Sequence, residues 1–106
     1  MSELLAWRNA WTESDLATYI ARYDTGFMGD SASRKEWEKQ RAERFANRKI
    51  TVRIENIVVR VASEQAQADF TQRYISNKHE DVGSKTLKWR KTAGKWLIVD
   101  EKWTKG

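Results

Sequence analysis

The chain has 106 residues, with no cysteine, no proline, 33% charged residues and six tryptophans. That length holds one domain with one core, and the missing cysteines exclude disulfides, thiolate metal sites and a cysteine nucleophile. A formal net charge of +5 tilts the surface toward anionic partners, but fifteen acids among twenty bases make it a mixed surface, not a polycation.

No apolar run approaches the ~18 residues that span a bilayer, so no membrane insertion is expected. Glu3 and Arg8 interrupt the early apolar stretch, so no secretory leader is read at the start. A domain cut from an exported parent would belong to the periplasm or cell envelope; otherwise the reading is cytoplasmic.

Leu4, Trp7 and Trp11 recur at helical spacing and predict a first helix over 2–12. Ser14 reads as the next N-cap, with Asp15 in the first turn. Leu16, Tyr19, Ile20 and Tyr23 then share one face of a second helix to about residue 23. Phe27-Met28-Gly29-Asp30 reads as a loop. Ser33 and Glu36 spell a capping box, opening a third helix to about Asn47 with Trp37, Arg41 and Phe45 on one face.

At Lys49 the period changes to two. Ile50, Val52 and Ile54 alternate on one parity, and Ile57, Val59 and Val61 on the other, which predicts a β-bulge near Asn56 and a bent strand. Residues 65–76 form the next strand, with Ala66, Ala68, Phe70 and Tyr74 on one face. Ser76 to Gly83 reads as a polar loop holding the single histidine, His79. Residues 84–92 and 95–104 close the chain as a hairpin around Thr92-Ala93-Gly94. Three helices followed by a four-stranded meander is an α+β layout, with the helices on one face of a curved, bulged antiparallel sheet.

The order Trp7, Trp11, Asp15, Tyr19, Tyr23, Phe27 and Trp37, then the strings FTQRYIS (70–76), GSKTLKW (83–89) and GKWLIVDEKW (94–103), resembles the nuclear transport factor 2-like (SnoaL-like) superfamily. More narrowly it resembles the accessory C-terminal domain of bacterial L,D-transpeptidase-family cell-wall proteins. The resemblance covers nearly the whole chain and implies a cone, with the sheet wrapped around the helices and a pocket between. It also implies two uses of that pocket: cofactor-independent lyase or isomerase chemistry with an acidic or histidine base and tyrosine donors, or plain binding.

The candidate ligand-binding residues are Tyr19, Tyr23, Trp37, Arg41, Phe70, Tyr74, Trp96 and Asp100, a polar cluster among aromatics of the kind that builds small-ligand sites. The competing reading makes Arg41 and Asp100 an ion pair and the tyrosines core residues with satisfied hydroxyls. Asp100, on the parity of Trp96 and Ile98, is the sole candidate for a general base. His79, Glu80 and Asp81 lack the spacing of a metal site, and no cofactor is implied.

Leu87, Trp89, Leu97, Val99 and Trp103 read as apolar residues left on the convex face, hence an interface with a second copy or with a neighbouring catalytic domain. Lys88, Arg90 and Lys102, with Lys35, Lys39, Arg44 and Arg48 on the third helix, suggest a basic face for an anionic polymer, but no nucleic-acid motif is present. The combined expectation is a non-catalytic domain that binds a small-molecule or peptidoglycan-related ligand or another protein. A small lyase or isomerase and an anionic-polymer binder are the alternatives.

Overall fold

The computed structural model describes residues 2–13, 15–45, 50–76 and 79–106. The helices are α1 (Ser2–Thr12), α2 (Leu16–Ala21) and α3 (Arg34–Phe45); the strands are β1 (Ile50–Ala62), β2 (Gln65–Ser76), β3 (His79–Thr92) and β4 (Lys95–Lys105). The strands form one antiparallel sheet in sequence order. The helices cover its inner face, so the α+β cone expected from the sequence is what the chain adopts. No helix among the described residues is long and apolar enough to cross a membrane.

The core is aromatic. Leu4, Trp7, Ala10 and Trp11 of α1 are buried at helical spacing, against Ala66, Ala68 and Phe70 of β2 and Leu87 and Trp89 of β3. The two small alanines leave room for the indoles. Asp15 caps α2, its Oδ1 accepting from the Thr18 amide at 3.2 Å. The expected cap Ser14 lies outside the described residues, as do the expected helix end at Asn47, Arg48 and the change of period at Lys49. Ser33 caps α3 as expected, its hydroxyl accepting from the Glu36 amide at 3.1 Å. α2 stops before Tyr23 because the chain turns to join β4: Asp24 N–H donates to the Ile98 carbonyl and Ile98 N–H to the Arg22 carbonyl, both at 2.8 Å.

β1 carries the expected bulge between Glu55 and Val58, with Asn56 at φ 54°. The β3–β4 turn is Ala93-Gly94, both at positive φ, as a two-residue hairpin of type I′ requires. The stretch expected to be a loop before Gly83 is instead strand from His79 onward, paired with β2 from Ser76 to Gln72. The ladder needs only backbone groups, so a polar segment running past the core is still strand.

A second bulge was not anticipated. Lys88 pairs with Asp100 and Trp89 with Ile98, which leaves Val99 as an extra residue in β4. Residues opposite each other in the ladder share a face. Leu87 therefore brings Glu101 to the inner face, and Lys85 brings Trp103. Three expectations change. Leu87 and Trp89 are core, not interface, at 0% and 2% exposure. Trp103 also faces inward. Asp100 stands on the outer side, opposite exposed Lys88. The outer face carries Arg53, Gln67, Arg73, Lys88 and Lys102 beside Val58, Ile75 and Val82, so it is mixed, and of the expected interface residues only Leu97 lies regularly on it, with Val99 at the bulge.

Candidate functional site

The far ends of β2, β3 and β4 diverge from α3 and the 24–33 loop, and a cavity of about 1020 Å³ lies between them. Its aromatic walls are Trp11, Phe27, Trp37, Tyr74 and Trp103. Arg34 fixes the loop: its guanidinium donates to the carbonyls of Asp24 (2.6 Å), Phe27 (3.1 Å) and Ile20 (3.3 Å). On the opposite wall, a Cβ on Gly83 would meet the Trp103 ring at 2.9 Å, so only glycine lets the end of β4 lie this close to β3.

The inner wall is built on Glu101, whose side chain is only 7% exposed. Lys85 Nζ donates to its Oε2 at 2.8 Å, and Arg41 Nη2 donates to Oε1 at 3.4 Å. The Tyr23 hydroxyl donates to Oε2 at 3.2 Å, and accepts from the Trp7 indole N–H at 2.9 Å. Tyr19 and Tyr23 hydroxyls are 3.1 Å apart. A carboxylate only accepts, and Tyr23 has one proton, so that proton goes to Glu101 and Tyr19 donates to Tyr23. The Lys85 ammonium lies 5.6–5.8 Å from the ring centroids of Trp7, Trp11 and Trp103, within cation–π range.

Burial pushes the Glu101 carboxyl up, but the charges of Lys85 and Arg41 outweigh it and hold the group below its ordinary range. Burial lowers the Lys85 ammonium, with Glu101 opposing. Burial, reinforced by Glu101, pushes Tyr19 up to about 12 and Tyr23 well above its usual value. Arg44 lines the same wall, its charge destabilised by burial and then by Arg41 beside it. Three cations, Arg41, Arg44 and Lys85, thus gather near Glu101, while Asp30, Asp81, Asp100 and Lys102 border the cavity elsewhere. Trp37 Nε1, Arg41 Nε and Gln72 Oε1 are buried and have no hydrogen-bond partner among the described residues.

Of the residues singled out in the sequence, Trp37, Arg41 and Tyr74 line the cavity together. Tyr19 and Tyr23 form the layer behind Glu101. Phe70 packs on Trp7 at 5.9 Å in the core. Trp96 lies at the opposite end of the sheet, near Lys91. Asp100 borders the cavity, but its Oδ1 accepts from the Glu101 amide at 3.0 Å and it does not meet the tyrosines. At the rim, His79 is hydrogen-bonded to Asp81. No group of three or more histidines or acids among the described residues could hold a metal ion.

Sequence reasoning missed Glu101, Lys85 and Gln72, and it put Arg44 on a basic outer face of the third helix, not at the cavity. A signal for Lys85 was present in β3. Leu87 and Trp89 alternate with Lys88 and Arg90, which marks the Leu87 parity as inward and takes Lys85 with it.

A sequence profile described as "Cds6 C-terminal NTF2-like domain" matches residues 1–102. Comparison with curated proteins gives no match. Among solved structures, Bd1075 of Bdellovibrio bacteriovorus is similar over 97% of this chain and 38% of its own, at 28% identity and a TM-score of 0.90. The helical cell shape determining protein Pgp2 of Campylobacter jejuni is similar over 94% of this chain and 38% of its own, at 21% identity and a TM-score of 0.82. An NTF2-like protein of unknown function from Pseudomonas putida KT2440 shares the fold over 97% of this chain and 81% of its own, at 16% identity and a TM-score of 0.80. The chain therefore spans little more than a third of the first two proteins.

Proposed function

Since the chain belongs to the family of Cds6 C-terminal NTF2-like domains, we propose that it is a non-catalytic binding domain whose cavity takes an anionic ligand with a ring or acyl body, of the kind found in peptidoglycan fragments. The observation that carries this reading is the cluster of Arg41, Arg44 and Lys85 near Glu101, at one end of an open, aromatic-sided cavity whose other acids, Asp30, Asp81 and Asp100, lie apart from Arg44 along its border. Arg44 has no ion pair among the described residues, so its guanidinium is available to a ligand carboxylate. Tyr74 and Trp103, both partly exposed, offer ring surfaces for the remainder. The likeness to a cell shape determining protein supports a cell-wall ligand and an accessory role within a longer protein.

The charge states argue against proton transfer by Glu101 and the tyrosines behind it. A general base needs a carboxylate free to accept a proton near neutral pH. Glu101 is held ionised by Lys85 and Arg41, and both nearby tyrosines are poor acids. Calorimetric titration with soluble peptidoglycan fragments bearing free carboxylates tests the proposal. Binding that weakens roughly tenfold in Arg44→Glu, about one lost charge-assisted contact, is the expected result. No heat and no change in tryptophan fluorescence at millimolar fragment would sink it.

A further inference from the structure

β1 is an edge strand, and its exposed residues include Ile57 (44%), Val58 (50%) and Val61 (60%). An exposed apolar edge is a template for another strand. The direction of its free backbone groups can be fixed. Val52 N–H points away from β2, because it donates to Thr12 Oγ1 at 3.1 Å. By alternation Ile54 also faces the free edge. Beyond the bulge, Ala62 and Gln65 flank the two-residue turn Ser63-Glu64 and bond each other, so Val61 and Val59 face the free edge too.

The bulge gives β1 an internal correspondence that a regular strand lacks. Ile54 and Val61 are seven residues apart, so in an unbulged strand they would face opposite ways. With one residue inserted, both turn their side chains to the inner face, opposite Gln72 and Ala66, and both turn their backbone groups outward. Glu55 and Arg60 likewise share the outer face. Neither has an ion pair among the described residues; Arg60 exerts only a through-space pull on Asp69.

The geometry points to a second copy of this chain as the occupant of this edge, paired antiparallel about a two-fold axis between Ile57 and Val58. Ile54 of each copy then exchanges both backbone hydrogen bonds with Val61 of the other. Glu55 of each copy lies across from Arg60 of the other, which makes two complementary ion pairs. Ile57 and Val58 are covered at the centre, and each bulge lies opposite the regular half of the partner strand. The joined sheet has eight strands, and both cavities stay open because they lie on the β2–β4 side. An edge-only joint is small, so the dimer is expected to come apart on dilution.

Sedimentation velocity over a concentration series tests this. The expected result is a monomer–dimer equilibrium. Arg60→Glu, which sets two pairs of like charges across the joint, is expected to raise the dimer dissociation constant roughly tenfold. The double swap Glu55→Arg/Arg60→Glu is expected to restore it. Both positions are exposed, and an unchanged circular dichroism spectrum verifies the fold. A chain that stays monomeric at every concentration overturns the proposal. So does a dimer indifferent to Arg60→Glu, or one that the double swap fails to recover.

Discussion

The inner face of β2, β3 and β4 has two ends built on the same strands to opposite purposes. Toward the hairpin turns, Ala66, Leu87, Trp89 and Ile98 close against Leu4 and Trp7 as a dry core. Toward the other end, Gln72, Tyr74, Lys85, Glu101 and Trp103 border an open cavity. The boundary is the extra residue Val99. A regular β4 continuing from Trp96 and Ile98 would turn Asp100 and Lys102 inward and Glu101 and Trp103 out. One inserted residue reverses this, and a strand that begins as core ends as the wall of a site.

The sharpest way to break the contrast is to truncate one residue on each side of the boundary, Glu101 at the cavity and its ladder partner Leu87 in the core. Glu101→Ala leaves Lys85 and Arg41 near each other without their carboxylate, and breaking such a buried pair costs about 3 kcal/mol or more. Leu87→Ala, next to it in the ladder, costs a comparable ~2–5 kcal/mol through lost burial and a cavity. The two are distinguished by ligand binding under native conditions. Glu101→Ala is expected to change affinity for anionic fragments, because the wall's charge rises by one. Leu87→Ala is expected to leave affinity unchanged. Urea unfolding and a binding isotherm on each variant check both statements, and equal binding effects would mean the two ends are not separate.

The first bulge was legible in the sequence and the second was not, for a physical reason. In β1 the apolar parity visibly changes between Ile54 and Ile57, and polar Glu55 and Asn56 mark the slip. In β4 Trp96, Leu97, Ile98 and Val99 are all apolar, so no alternation reveals the inserted residue. The error passes down the strand. An unbroken parity puts Asp100 in the place of Glu101 and Trp103 on the outer face. The three helices, the strand order and the aromatic half of the cavity, Trp37 and Tyr74, follow from spacing alone. In the charged half, Lys85 follows from the alternation of β3, whereas Glu101 depends on register, and register depends on the bulge.

A smaller effect follows from pH. Glu101 lies below its ordinary value of 4.5 in the folded chain because Lys85 and Arg41 favour its charged form. A depressed folded value means that the unfolded chain binds protons first. The stability this group contributes is therefore complete above 4.5 and is lost as pH falls through the lower folded value. Asp15 and Asp69 are lowered as well, by the bonds from Thr18 and Thr86, and they add the same sign in any variant. Urea midpoints followed from about pH 6 to pH 3 should fall for the natural chain and fall less for Glu101→Ala. Parallel curves would show that the carboxylate at the cavity end contributes no acid sensitivity.

The mildest test separates what the cavity end contributes to stability from what it contributes to recognition. Trp103 is 38% exposed and lies over Gly83 and near the Lys85 ammonium. Its partial exposure limits the burial it adds, and a part-exposed cation–π contact is worth only ~0.5–1 kcal/mol. Trp103→Ala should therefore move the unfolding midpoint little, whereas Trp89→Ala at the dry end should cost ~3–5 kcal/mol. For binding the order reverses. Trp103 lines the cavity and is partly exposed there, and its loss should weaken ring-bearing fragments several-fold, while small carboxylates that reach only Arg44 should bind as before. A uniform loss for both kinds of ligand would assign Trp103 a purely structural role in holding β4 against β3.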